Sequence, residues 1–205
     1  DAGFGCPHRE GGRGAGGCTF CAGGAVSGAG SAARPEFRGD LEAVRRQVDR
    51  ALGRVAKNTA LLLFFQAFSG TDAPAGELAR IYDAALGLAP FVALDVATRP
   101  DCFDGAKAAL LASYRARGLD VWVELGLQTA NDATLRRLHR GHTAGDFARA
   151  AREAKAAGLG LGAHVILGLP GEGLAEVRAT ARFLSEAGAD GVKIHNLHVV
   201  RGSAL

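Results

Sequence analysis

Three of the four cysteines lie close together near the start of the chain. Cys6, Cys18 and Cys21 fall within the glycine-rich stretch "GFGCPHREGGRGAGGCTFCAGG" (residues 3–24), whereas Cys102 is remote. The C-x-x-C pair Cys18 and Cys21 lets two thiolates reach one metal centre, and the glycines let Cys6 fold back on that pair. This loop is therefore the first candidate for chemistry.

Three chemistries compete for these thiols. A redox dithiol would need only the C-x-x-C pair and would leave Cys6 without a role. Structural zinc takes four ligands, and His8 could supply the fourth in a Cys₃His site. An iron–sulfur cluster usually takes four thiolates, so a cluster held by three keeps one iron open for another ligand. Three clustered thiols with a remote fourth favour the open cluster, and zinc stays the alternative.

The rest of the chain alternates short apolar runs with amphipathic stretches. The repeat is about 30 residues, the length of a βαβ unit. The amphipathic stretches have helical spacing, and Thr143 with Asp146 predicts a capping box. The pattern predicts an α/β fold with a parallel sheet and helices outside it. Five apolar runs rich in branched or aromatic residues are the predicted strands: 60–65, 91–98, 120–128, 161–169 and 192–200.

The carboxyl ends of the predicted strands are where function is expected, both in open α/β sheets and in barrels. Within "VWVELGLQT", Glu124 and Gln128 share one face, and their apolar neighbours take the other. We expect the polar face to line the interior, with pairing to an internal basic residue as the alternative role of Glu124. The other polar positions at strand ends are Gln66, 98–101, 168–172 and His198.

The remaining histidines and the fourth cysteine allow only less specific predictions. His164 and His195 lie within predicted strands and are expected to be hydrogen-bonded core histidines. His198 could face the site. Cys102 is expected to be a small packing residue, with a second reactive thiol as the alternative.

Several motifs follow one another along the chain: "CTFC", "FFQAFSGTDAP", "ATRPDC", "WVELGLQTANDATLRRLHRGHT", "HVILGLPGE" and "IHNLHVVRGSAL". Their content and order resemble the radical S-adenosylmethionine (SAM) superfamily, and within it the uncharacterised bacterial YhcC-type family related to the elongator catalytic subunit. The resemblance implies a partial (β/α)₆ barrel of the TIM type, whose first strand would precede Asp1. Residues 1–205 are then expected to be a single core domain of a longer chain, with 1–25 as its cluster-binding loop.

The resemblance also implies a chemistry. Cys6, Cys18 and Cys21 would bind three irons of a [4Fe–4S] cluster, and SAM would bind the fourth. An external one-electron donor would reduce the cluster, which would cleave SAM to a 5′-deoxyadenosyl radical that acts on an unknown substrate. By the same resemblance, the residues that contact SAM would be Phe20, Gln66, Glu124, Gln128, Arg140, Gly168 and Pro170.

The amino-acid composition excludes few classes of binding partner. The net charge is +3, and no basic stripe with interleaved aromatic residues supports the RNA substrate that kinship to the elongator subunit suggests. The longest apolar stretch, 60–65, is far too short for a membrane span. Clustered cysteines predict a reducing, cytoplasmic setting. The competing functions are a zinc-stabilised binding module and an iron–sulfur electron-transfer protein.

Overall fold

The computed structural model describes residues 1–8, 17–21, 39–201 and 203–205. The loop glycines from Gly11 to Gly16, which were expected to let Cys6 fold back on the cysteine pair, lie outside the described residues. In the part of the chain that is described, no helix has the length and apolar character needed to cross a membrane.

In the part of the chain that the structure describes, five parallel strands form one sheet, and each strand pairs with the next one along the chain. This sequential order is that of a barrel wall, because a doubly wound sheet reverses its strand order in the middle. All five predicted strands are present, but β4 and β5 end earlier than expected. The strands are β1 Leu61–Phe65, β2 Phe91–Thr98, β3 Asp120–Gln128, β4 Gly160–Leu167 and β5 Gly191–Asn196.

The sheet curls strongly into a half-barrel. The ammonium of Lys193 on β5 lies 4.8 Å from the ring centroid of Phe64 on β1. In a flat sheet these strands would be about 19 Å apart, four spacings of roughly 4.8 Å each. The two edge strands must therefore bend toward each other, and the inner face becomes a cavity wall. This confirms the predicted partial barrel.

Within the described ranges six helices cover the sheet, and their ends follow the local signals in the sequence. Asp40, Asp104, Asn131 and Thr143 each accept a hydrogen bond from a first-turn amide, and Thr143 with Asp146 completes the predicted capping box. A short 3₁₀ helix spans Pro100–Cys102. The helices are α1 Leu41–Leu52, α2 Ala75–Leu86, α3 Gly105–Ala116, α4 Asp132–Arg137, α5 Ala144–Ala156 and α6 Leu174–Glu186.

The apolar core lies between the outer face of the sheet and the helices. Val123, Leu125 and Leu161 point into it from the strands and are fully buried, as is Phe147 from α5. Because side chains alternate along a strand, the residues between them face the inside of the half-barrel. Folding energy is thus concentrated on the outer face, which leaves the inner face free to be polar.

Glycines on the inner face of β4 and β5 let large β3 side chains lie across the neighbouring strands. A Cβ atom added at Gly160 would stand 2.4 Å from the indole of Trp122. One added at Gly162 would stand 3.0 Å from Cγ of Glu124. Trp122, near the amino end of β3, therefore packs across the amino end of β4 and forms part of the floor of the half-barrel.

We predict that Gly160→Ala lowers the free energy of unfolding by about 1–3 kcal/mol, because the methyl group forces the Trp122 ring out of place. Gly76→Ala in α2 is the matched control, since its added methyl has no heavy atom within 4 Å. The control should leave the free energy of unfolding unchanged or slightly higher. Urea unfolding of the two variants of the full-length protein measures both, and equal stabilities would contradict this account of the floor.

Candidate functional site

The first residues of the chain are anchored at the carboxyl end of the sheet. The ring of Phe4 is buried and contacts Phe65 and Tyr82 edge-on. The carbonyl of Gly5 accepts a hydrogen bond of 3.2 Å from the amide of Ser69, which follows β1. These contacts fix the residues immediately before Cys6, so its buried thiol lies at the end of the sheet where function is expected.

The C-x-x-C turn is fixed to the same end by backbone hydrogen bonds. The amide of Cys21 donates to the carbonyl of Cys18 at 3.0 Å, which closes the turn. The amide of Thr19 donates to the carbonyl of Leu138, just after α4, also at 3.0 Å. Cys18 is buried and Cys21 is half-buried. The turn therefore holds its two thiols at the junction between the loop and the barrel.

A buried arginine joins this turn to β3. The guanidinium of Arg140 donates from Nη1 to Sγ of Cys18 at 3.5 Å and from Nη2 to the carbonyl of Gly126 at 3.0 Å. Its Nε donates to Nε2 of His142 at 2.9 Å. Arg99 donates in turn to the carbonyl of Arg140 at 2.8 Å. The thiols thus lie beside two buried cations.

These contacts decide which thiol carries negative charge. The hydrogen bond from Cys21 lowers the pKa of Cys18 against the opposing effect of burial, and the charges of Arg140 and Arg99 lower it further. The same hydrogen bond and burial raise the pKa of Cys21. Cys18 is therefore the thiolate of the pair, and a thiolate is the form that binds metal.

His8 is used by the fold rather than by the cysteine pair. Its ring is buried, its Nε2 is hydrogen-bonded to the carbonyl of His139, and it lies against Gly141. Among the residues that the structure describes, no three His, Cys, Asp or Glu side chains converge as ligands of a single metal ion. This finding applies equally to the three thiols, so it does not distinguish the Cys₃His zinc alternative from a cluster.

The inner face of the half-barrel carries a continuous polar cluster, which we call the interior wall: Asp95, Glu124, His164, Lys193 and His195. Oε2 of Glu124 lies 2.6 Å from Nε2 of His164 and 3.3 Å from Nζ of Lys193. Nε2 of His195 lies 3.3 Å from Nδ1 of His164. Glu124 thus has internal basic partners, the alternative that the sequence left open, and its predicted contact with SAM stays a prediction.

The two strand histidines are hydrogen-bonded, as expected, but not in the apolar core. His164 and His195 are half-buried on the inner face, with ring centroids 5.1 Å apart. Asp95 and Lys193 were not among the predicted site residues. The sequence did contain a pattern that indicates them, because Asp95 is the acidic residue of β2 and Lys193 is the lysine of β5, and each stands between apolar neighbours.

Gln128 ends β3 in an unusual conformation. Its φ is +75°, and the pairing with β4 shifts register between Gly126 and Gln128. A Cβ atom placed on Gly126 would lie 2.9 Å from Nε2 of Gln128 and 2.6 Å from Nη2 of Arg140. The amide of Gln128 and the guanidinium of Arg140 are therefore neighbours on the inner side of Gly126, close to Cys18.

The other predicted SAM contacts are spread along the same end of the sheet. Phe20 is half-buried between Cys18 and Cys21, and Gln66 is exposed directly after β1. Gly168 has a φ of +84° and ends β4. The carbonyl of Pro170 accepts a hydrogen bond of 3.1 Å from Arg137. Their contacts with SAM stay predictions.

Two further candidates lie away from this cluster of contacts. Cys102 is buried in the 3₁₀ helix, and burial raises the pKa of its thiol to about 12, which agrees with the expected packing role. His198 is exposed beyond the end of β5, so it does not line the inner face of a strand.

Comparison with known proteins identifies the family. The model of the radical SAM superfamily matches residues 3–184. Protein YhcC of Escherichia coli (strain K12) is 40% identical over 203 residues, which are 99% of this chain and 63% of that protein. The chain therefore spans less than two thirds of the length of this relative.

Solved structures share the fold. Coproporphyrinogen III oxidase (HemN) from Escherichia coli, a radical SAM enzyme, aligns with a TM-score of 0.68 at 16% identity, over 96% of this chain and 43% of its own. The archaeal Elp3 of Methanocaldococcus infernus aligns with a TM-score of 0.65 at 21% identity, over 82% of this chain and 44% of its own. With a matching family model and this shared half-barrel, the chain belongs to the radical SAM superfamily.

Proposed function

We propose that the full-length protein is an enzyme that uses a [4Fe–4S] cluster and SAM, the cofactors of its superfamily, on a substrate held in the half-barrel. One observation carries the proposal. Cys6 and the Cys18–Cys21 turn are separately anchored at the carboxyl end of the sheet, and both Cys6 and Cys18 are close enough to Arg99 to interact with its charge. Residues 1–205 would supply the core domain for this chemistry.

The donor set fits a cluster better than it fits a single ion. The described residues offer three thiols and no fourth ligand beside them, which leaves a cluster one open iron. Deprotonation is already favoured at Cys18. When bound, the reduced cluster and SAM supply a 5′-deoxyadenosyl radical that removes a hydrogen atom from the substrate.

Arg140 and Arg99 would stabilise the charged thiolates. Arg140 donates to Sγ of Cys18, and Arg99 donates to the carbonyl of Arg140 while it pairs with Asp101 at 2.9 Å. Hydrogen bonds to a ligand sulfur orient the ligand and tune the metal centre. The cations also offset the cost of burying anionic sulfur.

The predicted SAM-binding residues would surround the same point. The amide of Gln128 lies beside the guanidinium of Arg140, and that guanidinium has five N–H donors. Three of its nitrogens already reach Cys18, Gly126 and His142, which leaves two N–H groups for the SAM carboxylate. Phe20, Gly168 and Pro170 would border the adenine, and Gln66 the methionine.

The substrate and the electron donor are less defined. Reduction would require an external one-electron donor, and described cysteines that form no disulfide suit the expected cytoplasmic location. RNA modification has weak support, because the net charge is only +3. An electron-transfer protein would need the cluster but not a SAM site, so SAM binding separates the two functions.

We predict that replacing Cys6, Cys18 or Cys21 by alanine abolishes cluster assembly, because each removes one of three thiolates with no substitute nearby. Cys102→Ala is the matched control and should keep a full cluster. Iron and sulfide content of the full-length variants after anaerobic reconstitution measures this. A full cluster in Cys6→Ala, or loss of iron in Cys102→Ala, would refute the assignment.

We predict that Gln128→Ala keeps its iron but binds SAM more weakly by about 1–3 kcal/mol, the usual cost of losing a buried hydrogen-bond partner. Calorimetric titration of SAM into the reconstituted full-length variant measures the affinity. Glu186→Ala, a polar change at the exposed end of α6, is the comparison and should bind SAM normally. If Gln128→Ala binds SAM as tightly as the parent does, Gln128 does not contact the cofactor.

We predict that the reconstituted full-length protein, reduced with dithionite, converts SAM slowly to 5′-deoxyadenosine without any substrate. Chromatography of the quenched reaction detects the product, and Cys18→Ala treated in the same way should form none. An intact, reducible cluster that binds SAM but yields no 5′-deoxyadenosine would favour the electron-transfer function.

A further inference from the structure

The interior wall is polar where a barrel interior is ordinarily filled by branched apolar side chains. Its five residues lie on β2, β3, β4 and β5 and face away from the core between the sheet and the helices. They are therefore not needed to attach the sheet to its helices. Burying charged and polar groups is costly, so their presence needs another reason.

Within this wall, three residues form a directed chain of hydrogen bonds. An ionised carboxylate only accepts, so Nε2 of His164 donates to Glu124 across 2.6 Å. When His164 is neutral, its Nδ1 is the acceptor, and Nε2 of His195 donates to it across 3.3 Å. In that state the order of donors and acceptors leaves Nδ1 of a neutral His195 as a hydrogen-bond acceptor.

The charge states agree with this direction. Burial alone would raise the pKa of Glu124, but the hydrogen bond from His164 and the charge of Lys193 bring it below its ordinary value. Burial lowers the pKa of His195, and the charge of Lys193 lowers it further. Near neutral pH the chain thus begins at a carboxylate and ends at a neutral imidazole.

The last imidazole in this series of hydrogen bonds, His195, lies toward the end of the sheet that holds the cysteines. His195 is the penultimate residue of β5, so it lies toward the carboxyl ends of the strands, where the cysteines are anchored. In the part of the chain that the structure describes, no hydrogen bond engages its Nδ1. Trp122 lies toward the amino end of β3, at the opposite end of the wall from the cysteines.

The surroundings of the chain suit a flat polar ring. The aromatic side chains of Trp122 and Phe64 face the interior beside Glu124 and Lys193. Oδ1 of Asp95 is buried and has no hydrogen-bond partner within the described residues. Burial, and then the charge of Glu124, raise the pKa of Asp95 to about 7, so its carboxyl can be a donor or an acceptor.

We propose that the interior wall binds a planar heterocyclic part of the substrate, and that Nδ1 of His195 accepts a hydrogen bond from a ring N–H of that part. Glu124 and His164 are positioning residues, because they hold the proton of His195 on Nε2. This inference rests on the proposed function, since it places the ring beside the cofactor end of the half-barrel.

The test uses full-length protein labelled with ¹⁵N-histidine, reconstituted with its cluster and loaded with SAM. Uracil is the probe, and 1,3-dimethyluracil is the matched control ring without an N–H group. The imidazole ¹⁵N signals of His164 and His195, assigned with His164→Gln and His195→Gln, should show protons on both Nε2 atoms. Uracil should shift Nδ1 of His195 saturably, and dimethyluracil should not.

Variants separate positioning from folding. His164→Gln should let the proton of His195 distribute over both ring nitrogens and weaken uracil binding about tenfold, the effect of one lost buried hydrogen bond. His198→Gln, exposed beyond β5, should change neither. If His164→Gln fails to fold, Glu124→Gln provides the same test, because it removes the charge that fixes the chain of donors.

The outcomes distinguish this inference from the proposed function. A protein without iron or without affinity for SAM contradicts the proposed function and, with it, the inference. A protein that binds both but whose His195 signals ignore uracil, or respond equally to dimethyluracil, overturns the inference alone. A saturable shift of Nδ1 with uracil only, lost in His164→Gln, supports it.

Discussion

The curl of the parallel sheet is the constraint on which the rest of the structure depends. Contact between Lys193 on β5 and the ring of Phe64 on β1 shows that the two edges approach each other across the interior. Helices can then cover only the outer face, where Val123 and Leu125 are fully buried. The inner face is released from packing against helices and can carry charge, which a flat sheet covered on both faces could not accommodate.

Arg140 connects this barrel to the cysteine loop. Its guanidinium reaches Sγ of Cys18 on one side and the carbonyl of Gly126 on β3 on the other. Gly126 has to be glycine, because an added Cβ would stand 2.6 Å from that guanidinium. The position of the thiols therefore depends on the end of β3, and any cofactor bound by them would be set relative to the barrel interior.

The interior wall and the cysteine loop offer different chemical groups to a ligand. The loop side has thiols and buried cations, an environment for an anionic metal centre. The wall has a carboxylate, two imidazoles and an ammonium, which hold each other in place by hydrogen bonds at 2.6 and 3.3 Å. One end of the half-barrel thus suits cofactors and its inside suits a polar ligand.

The sequence by itself determined the strands, the capping box at Thr143 and the spacing of the cysteines, because these depend on residues a few positions apart. It also showed that Glu124 faces away from the apolar side of its strand, a matter of alternation alone. Only the tertiary structure decided the partners of Glu124, because His164 and Lys193 lie 40 and 69 residues further along the chain. Their approach depends on strand register and on the curl of the sheet, which no local pattern encodes.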